Sequence, residues 1–256
     1  MIEDLAFIGQ IAIKSSIAVL LATLGEIVTE RSGVLNLGVE GMMLVGALCG
    51  VAAGVATGNP ILAAAAGALA GGLLALMHGF FAITLQVNQV LSGLALTILG
   101  LGITSFLGRP LIGMRPGVRL QAVPIPGLAD IPVIGDIFFR QSMLAYLAYL
   151  LVPLCWILLF RTGTGLKIRA AGEDAAAVDA AGINVARIRY LCTFVGGLGA
   201  GLAGAYLSLS YTPGWKESMT GGQGCCLLYT SPSPRDHSRY LVCRLLLENM
   251  GGGGGG

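Results

Sequence analysis

The chain has 256 residues, of which 55% are hydrophobic and 11% charged, with 40 glycines and a formal net charge of +2. Soluble domains carry about 25% charged residues, so this composition argues against a water-soluble globular domain. The small net charge, with no basic aromatic-interleaved patch, gives no footing for nucleic acid.

Apolar runs of about 20 residues recur, the length a helix needs to cross the hydrocarbon core. No succession of alternating ten-residue strands appears, as a membrane barrel would require. The expected fold is therefore all-α, a polytopic transmembrane helix bundle, because helices satisfy their own backbone polar groups in lipid. The first residues, MIEDLAF, are acidic where a secretory leader needs a basic region, so no cleavable leader is expected.

Six spans are read, over roughly 6–28, 34–57, 60–85, 90–112, 142–160 and 190–212. Lys14 in the first is expected to snorkel or to face protein. Glu26, Glu30 and Arg31 form a polar junction for which an ion pair is sufficient explanation. The second span opens with RSGVLNLGVEGMMLVGA, which carries Asn36 and Glu40. Four residues apart on a helix, the two would share one face. A charge at mid-bilayer costs on the order of 3 kcal/mol, so they are expected to face protein or a pathway and not lipid. Glu40 then either braces other helices or unwound backbone, or lines a translocation path with Asn36. A path would have to bind weakly enough to release its ligand.

TGNP at 57–60 reads as a turn that ends one helix and starts the next. Gly46, Gly50, Gly54 and Gly58 form a stripe in the second span, with Gly67 and Gly71 in the third and Gly197, Gly201 and Ala205 in the sixth. Such stripes let helix backbones approach closely in lipid. His78 in the third span is read as a packed or hydrogen-bonded histidine. Asn88 and Gln89 open the fourth span with Ser92 a turn later, either as helix-start polar residues or as part of a path with Asn36 and Glu40.

Two polar connections follow. Residues 113–141 are rich in Pro and Gly and do not read as a span. Residues 161–189, RTGTGLKIRAAGEDAAAVDAAGINVARIR, contain a short Ala-rich helix that Glu173 or Asp174 would cap and Gly182 would stop. That helix is either a connecting loop or a docking helix. One span separates the two connections, so they lie on opposite sides. Four arginines (109, 115, 119, 140) against five basic residues (161, 167, 169, 187, 189) hardly decide which side is which.

From Cys225 onward the texture changes: CCLLYTSPSPRDHSRYLVCRLLLENM and then six glycines. CLLYTSPSPRD looks like translated adapter DNA joined to a truncated frame. Residues 1–224 are therefore read as the membrane domain, and 225–256 as a non-native or disordered tail. Cys49, Cys155 and Cys192 are read as small apolar packing residues, and no Cys/His spacing suggests a metal site. No catalytic dyad or nucleophile–base pair emerges. The string GTGLKI at 163–168 lacks the spacing of a phosphate-binding loop.

Four stretches together carry a resemblance: GEIVTERSGVLNLGVEGMMLVGA (25–47), VNQVLSGLALTILGLGITSFLG (87–108), GLKIRAAGEDAAAVDAAGINVARIRYL (165–191) and GLAGAYLSLSYTPGWKESMTGGQG (201–224). They resemble the permease subunits of bacterial ABC importers of the branched-chain amino acid and simple-sugar group. ERSGVLNLGVEGMML and YTPGWKESMT are most similar to the nucleoside-type branch. The resemblance implies a multi-pass protein of the bacterial inner membrane that moves nucleosides or simple sugars by alternating access. It implies three partners besides membrane lipid: an ATPase subunit that holds ATP and Mg, a second permease subunit, and a substrate-binding lipoprotein. It makes Gly172, Glu173, Asp174, Ala177 and Gly182 part of the ATPase-coupling loop, placing 161–189 inside and 113–141 outside. It also implies further spans beyond GGQG, with those of the family missing here. The residues leave open a self-sufficient secondary transporter or channel, and a non-functional truncated permease.

Overall fold

A computed structural model describes residues 2–114, 120, 122–124, 135 and 138–230. In chain order the helices are α1 (Ile2–Arg31), α2 (Val39–Thr57), α3 (Pro60–Gly79), α4 (Gln89–Leu107), α5 (Met143–Arg161), α6 (Gly163–Glu173), α7 (Ala175–Ala180), α8 (Val185–Tyr206) and α9 (Gln223–Thr230). Turns of π-helix extend α3 through Phe80–Thr84 and α8 through Leu207–Tyr211. Six of these helices are long and apolar enough to cross a membrane: α1 to α5 and α8. Among the described residues the bundle is all-α apart from a short antiparallel ribbon, β1 (Ala122–Pro124) and β2 (Arg140–Ser142), with Val123 opposite Gln141. Most of the Pro-rich connection, and residues 231–256 of the tail, lie outside the described residues. Residues 225–230 of the tail are helical and continue α9, with Leu227 buried in the core.

Local chemistry explains several ends. α2 stops at Gly58, whose left-handed backbone (φ +67°) lets its N–H return to the Gly54 carbonyl. Asn59 then caps α3 by accepting from the amides of Ile61 and Leu62, and Pro60 occupies the first helical position. Proline there gives up an amide that the helix would leave unbonded anyway. Gly58 is thus a helix stop and no part of a packing stripe.

Gly46 and Gly50 of that stripe do pack, as do Gly67 and Gly71 of the next helix. A β-carbon on Gly46 would lie 2.6 Å from the Gly201 Cα, one on Gly67 would lie 2.6 Å from the Gly46 carbonyl oxygen, and one on Gly71 would lie 2.6 Å from the Gly201 Cα. Helices α2, α3 and α8 therefore meet backbone against backbone, in a space no side chain can share. Lipid tails are as apolar as leucine, so dispersion at such close crossings supplies most of the association. α1 joins α8 in the same manner, Gly25 lying against Gly196, and α4 joins α2 through Gly41 and Gly100.

Contacts at the two ends of α8 fix the relative topology. Its N-terminal Arg189 bonds the Ser32 carbonyl just beyond α1, whereas Tyr206 near its C-terminus donates to the Lys14 carbonyl. The helices α1 and α8 are thus antiparallel. The N-terminus shares a face with β1, β2 and the end of α4, and α6 and α7 stand on the opposite face.

Adding one methyl group separates packing from propensity. Gly201→Ala places a β-carbon against α3 and is expected to lower the thermal unfolding midpoint in detergent, with a cost of about 1–3 kcal/mol for overpacking. Gly102→Ala, helical with nothing within 4 Å of its β-carbon, is expected to leave the midpoint unchanged or raise it. Equal midpoints for the two variants would contradict backbone-level packing.

Candidate functional site

The second span begins at Val39, not near residue 34, because residues 32–38 leave the helix. The chain turns at Gly33 (φ +88°) and then exposes backbone groups that the apolar surroundings cannot satisfy. Unbonded amides in such a medium cost several kcal/mol each, and here side chains from three helices take them up. The Leu35 amide donates to Gln89 Oε1 at 2.8 Å, and the Leu35 carbonyl lies 3.0 Å from His78 Nε2. The Asn36 amide donates to Glu26 Oε1 (3.3 Å), and the Leu37 carbonyl accepts from Thr97 Oγ1 (3.0 Å). Since a carbonyl can only accept, His78 carries its proton on Nε2, and its Nδ1 faces Ser92 Oγ at 3.2 Å.

Asn36 therefore does not share a helical face with Glu40. It precedes the helix, is wholly buried, and accepts from the Gly38 amide at 3.0 Å. Its amide group meets the Met42 sulfur. A short side-chain loop of this kind competes with the helix for backbone amides, which explains why the span starts late.

Glu40 lies in the first turn of α2 and is 5% exposed. Its carboxylate is taken up by the chain returning after α8. One oxygen accepts from the Thr220 hydroxyl and from the Gly222 amide (2.9 Å), and the other accepts from the Gly224 amide at 2.7 Å. Gly221 and Gly222 are both left-handed (φ +57° and +82°), which aims these amides at one point just ahead of α9. A carboxylate at a helix N-terminus meets the positive end of the helix dipole. The returning segment is pinned at its other end by Trp215, buried against Ala47, Leu48 and Val51.

Asn88 and Ser92 do not join Asn36 and Glu40 in one cluster. Asn88 is exposed and caps α4 by accepting from the Val90 amide at 3.0 Å, while Ser92 serves His78. At the polar junction, Arg31 lies over the Phe160 ring, 5.9 Å from its centroid.

The Ala-rich segment forms two helices. Asp174 ends α6 and caps α7, accepting from the amides of Ala176 and Ala177 (3.0 and 3.1 Å), and Gly182 follows α7 with φ +77°. Gly172 docks the pair on the break: a β-carbon there would lie 3.2 Å from the Gly33 nitrogen. Arg189 completes the joint, donating from Nε to the Ser32 carbonyl and from Nη2 to the Ala171 carbonyl, both at 3.2 Å. Glu173 is the last residue of α6. Sequence reading found Asp174 and Gly182 by their local signatures. It missed Arg189, Thr97 and Thr220 as partners, since these pairs join residues 60 to 180 positions apart.

Comparison with known proteins adds an independent line. The family model described as branched-chain amino acid transport system / permease component matches residues 7–225. The chain is 45% identical over 215 residues to a putative glucose ABC transporter permease protein of Haloferax volcanii, covering 83% of this chain and 65% of that protein. It is 35% identical to a guanosine ABC transporter permease protein of Bacillus subtilis, covering 87% of this chain and 73% of that one. With a nucleoside ABC transporter permease protein of Lactococcus lactis subsp. cremoris the identity is 31%, over 82% and 69%. No solved structure matches the chain.

Glu40→Gln keeps one acceptor but turns an amide group toward a donor. Hydrogen bonds to a charged group are worth about 1.5–3 kcal/mol, so a loss of about 2 kcal/mol is expected. Thermal unfolding followed by Trp215 fluorescence checks it; an unchanged midpoint would remove Glu40 as the holder of the returning segment. Arg189→Ala should speed amide hydrogen exchange in residues 171–174 and 32–34 without changing exchange in α3.

Proposed function

The chain belongs to the family of branched-chain amino acid transport system permease components, and from that premise we propose that it is the permease subunit of an ATP-driven ABC importer for nucleosides or simple sugars. It is a multi-pass membrane protein, and on this reading its place is the bacterial inner membrane, with 161–189 inside. The observation that carries the reading is the joint between α6–α7 and the break at 32–38. A pair of small helices stands on one face, presents alanines outward, and touches backbone that leads directly to Asn36 and Glu40. That is the arrangement a partner needs in order to move a span it does not itself contact.

ATP hydrolysis then belongs to a separate subunit holding ATP and Mg. The residues 163–168 of this chain are the opening turns of α6 and follow no strand, whereas a phosphate-binding loop follows one. A second permease subunit completes the path, and a binding lipoprotein delivers substrate to the face bearing β1 and β2. The substrates for which these relatives are named, glucose, guanosine and nucleoside, share a hydroxylated sugar ring, and that ring is the proposed common element. Glu40, Asn36, Ser92 and Asn88 act here as supports of the break and of the helix starts, so that displacement at the coupling face reaches the bundle interior.

Uptake of labelled glucose and guanosine, in cells supplying the chain with its ATPase and binding lipoprotein, tests the reading. Ala177→Pro removes an amide bonded to Asp174 and pushes the preceding residue, Ala176, out of the helical region, which destabilises the start of α7. It is expected to abolish uptake while leaving the protein in the membrane. Uptake that continues in Ala177→Pro would sink the coupling role, and uptake without any ATPase would favour a self-sufficient transporter.

A further inference from the structure

The π turn that extends α8 ends at Tyr211, on the face bearing β1 and β2, and residues 212–222 then return into the bundle without helix. Two contacts give the depth of this return. Trp215 packs against Ala47, Leu48 and Val51 of α2, and a β-carbon on Gly108, where α4 ends, would overlap its indole. Thr220 and Gly222 reach Glu40, whose neighbour Gly41 sits against Leu96, Thr97 and Gly100 in the middle of α4. α4 has 19 residues. At 1.5 Å per residue its middle lies about 14 Å from its end, close to half of the roughly 30 Å hydrocarbon thickness. Residues 216–219 therefore stand between the membrane surface and its centre.

Lys216, Glu217 and Ser218 are exposed at that depth, while Trp215 and Thr220 on either side of them are buried. Ser218 has a left-handed backbone (φ +51°), which residues with a β-carbon seldom adopt. The segment is thus anchored on α2 by its buried residues and turns its charged ones away from the bundle. Irregular backbone at membrane depth persists only where it is buried in protein or lines water. Charged groups there face a cavity and not lipid. Helix contacts in lipid are built from small and apolar side chains, so Lys-Glu-Ser is no packing face. Its chemistry suits a hydroxylated solute. A carboxylate accepts from neighbouring hydroxyls, an ammonium donates to their oxygens, and serine does either.

We propose that Lys216, Glu217 and Ser218 line the translocation path in the half of the membrane nearer β1 and β2, and bind the sugar ring of the passing solute. This assignment rests on the importer reading above. A site open to water on one side binds weakly, as a path that must release its ligand requires. Membranes holding the permease with its ATPase and binding lipoprotein are treated with a charged thiol reagent that cannot cross lipid. Labelling of Glu217→Cys and Ser218→Cys is read at each position by peptide mass spectrometry, with Ile98→Cys, an exposed apolar position of α4, as control. Both are expected to react faster than the control by on the order of tenfold, since a thiol in apolar surroundings ionises less. Adding the solute that is taken up, guanosine or glucose, should slow labelling of Ser218→Cys relative to ATP alone. Glu217→Gln should lower uptake by on the order of tenfold, the factor a hydrogen bond to a charged group is worth, at an unchanged amount of protein in the membrane. Ser218→Cys keeps both charges, so its result stands whether or not the Glu217 variants fold. Labelling no faster than at Ile98→Cys overturns the inference and leaves the importer reading intact. Labelling that the solute does not slow, in membranes that do take it up, overturns the sugar contact. Membranes that take up neither solute would end the importer reading and this assignment with it.

Discussion

A helix that breaks inside an apolar bundle must find a partner for each amide and carbonyl it frees, and the break at residues 32–38 organises much of the surrounding structure. Gln89, His78, Thr97 and Glu26 come from α4, α3, α4 and α1, and each supplies one bond to that short stretch. None of these residues is needed for its own helix. Their positions follow from the backbone they serve, which places polar side chains deep in an otherwise greasy bundle at little net cost. The glycine crossings act together with this requirement: α4 approaches α2 and the break at backbone distance through Gly41, Gly93 and Gly100, so a side chain as short as Thr97 can reach across.

The same constraint operates a second time at Glu40. The segment after α8 returns into the bundle as irregular backbone, and its freed amides need acceptors where water is scarce. A single carboxylate with two oxygens satisfies Thr220, Gly222 and Gly224 at once. Asparagine or serine would offer one acceptor oxygen where three donors converge. The charge that looks out of place in an apolar helix is the group with sufficient acceptor capacity for the position.

The bundle was legible because its signals are local. Apolar length marks the spans, Asn59 and Pro60 mark the turn between α2 and α3, and Asp174 and Gly182 bracket the short helix α7. Glycines every four residues announce close packing, though not that Gly58 ends the helix. The late start of α2 was harder to read, since RSGVLNL is as apolar as a helix start and only Gly33, Asn36 and Gly38 hint at the interruption. Partner choice was not legible at all. That Gln89 serves Leu35, or that Arg189 ties Ser32 to Ala171, depends on how helices distant in sequence are placed, and no periodicity within one segment encodes it.

Backbone contact carries motion differently from side-chain contact. Long side chains can swing to absorb a displacement, whereas Gly172 against Gly33 has no atoms to spare. On the proposed function, a push on α6 and α7 is therefore received by the turn at Gly33 without slack, and Arg189 prevents the two from parting. From Gly33 the chain runs through Asn36 to Glu40 in seven residues, bonded along the way to α1, α3 and α4 and finally to the returning segment. Any shift of the coupling helices must either break several of these bonds or move the helix ends together. Since each buried bond costs on the order of 1 kcal/mol or more to lose, concerted movement is the cheaper course, and the break in the second span becomes the place where such movement enters the membrane.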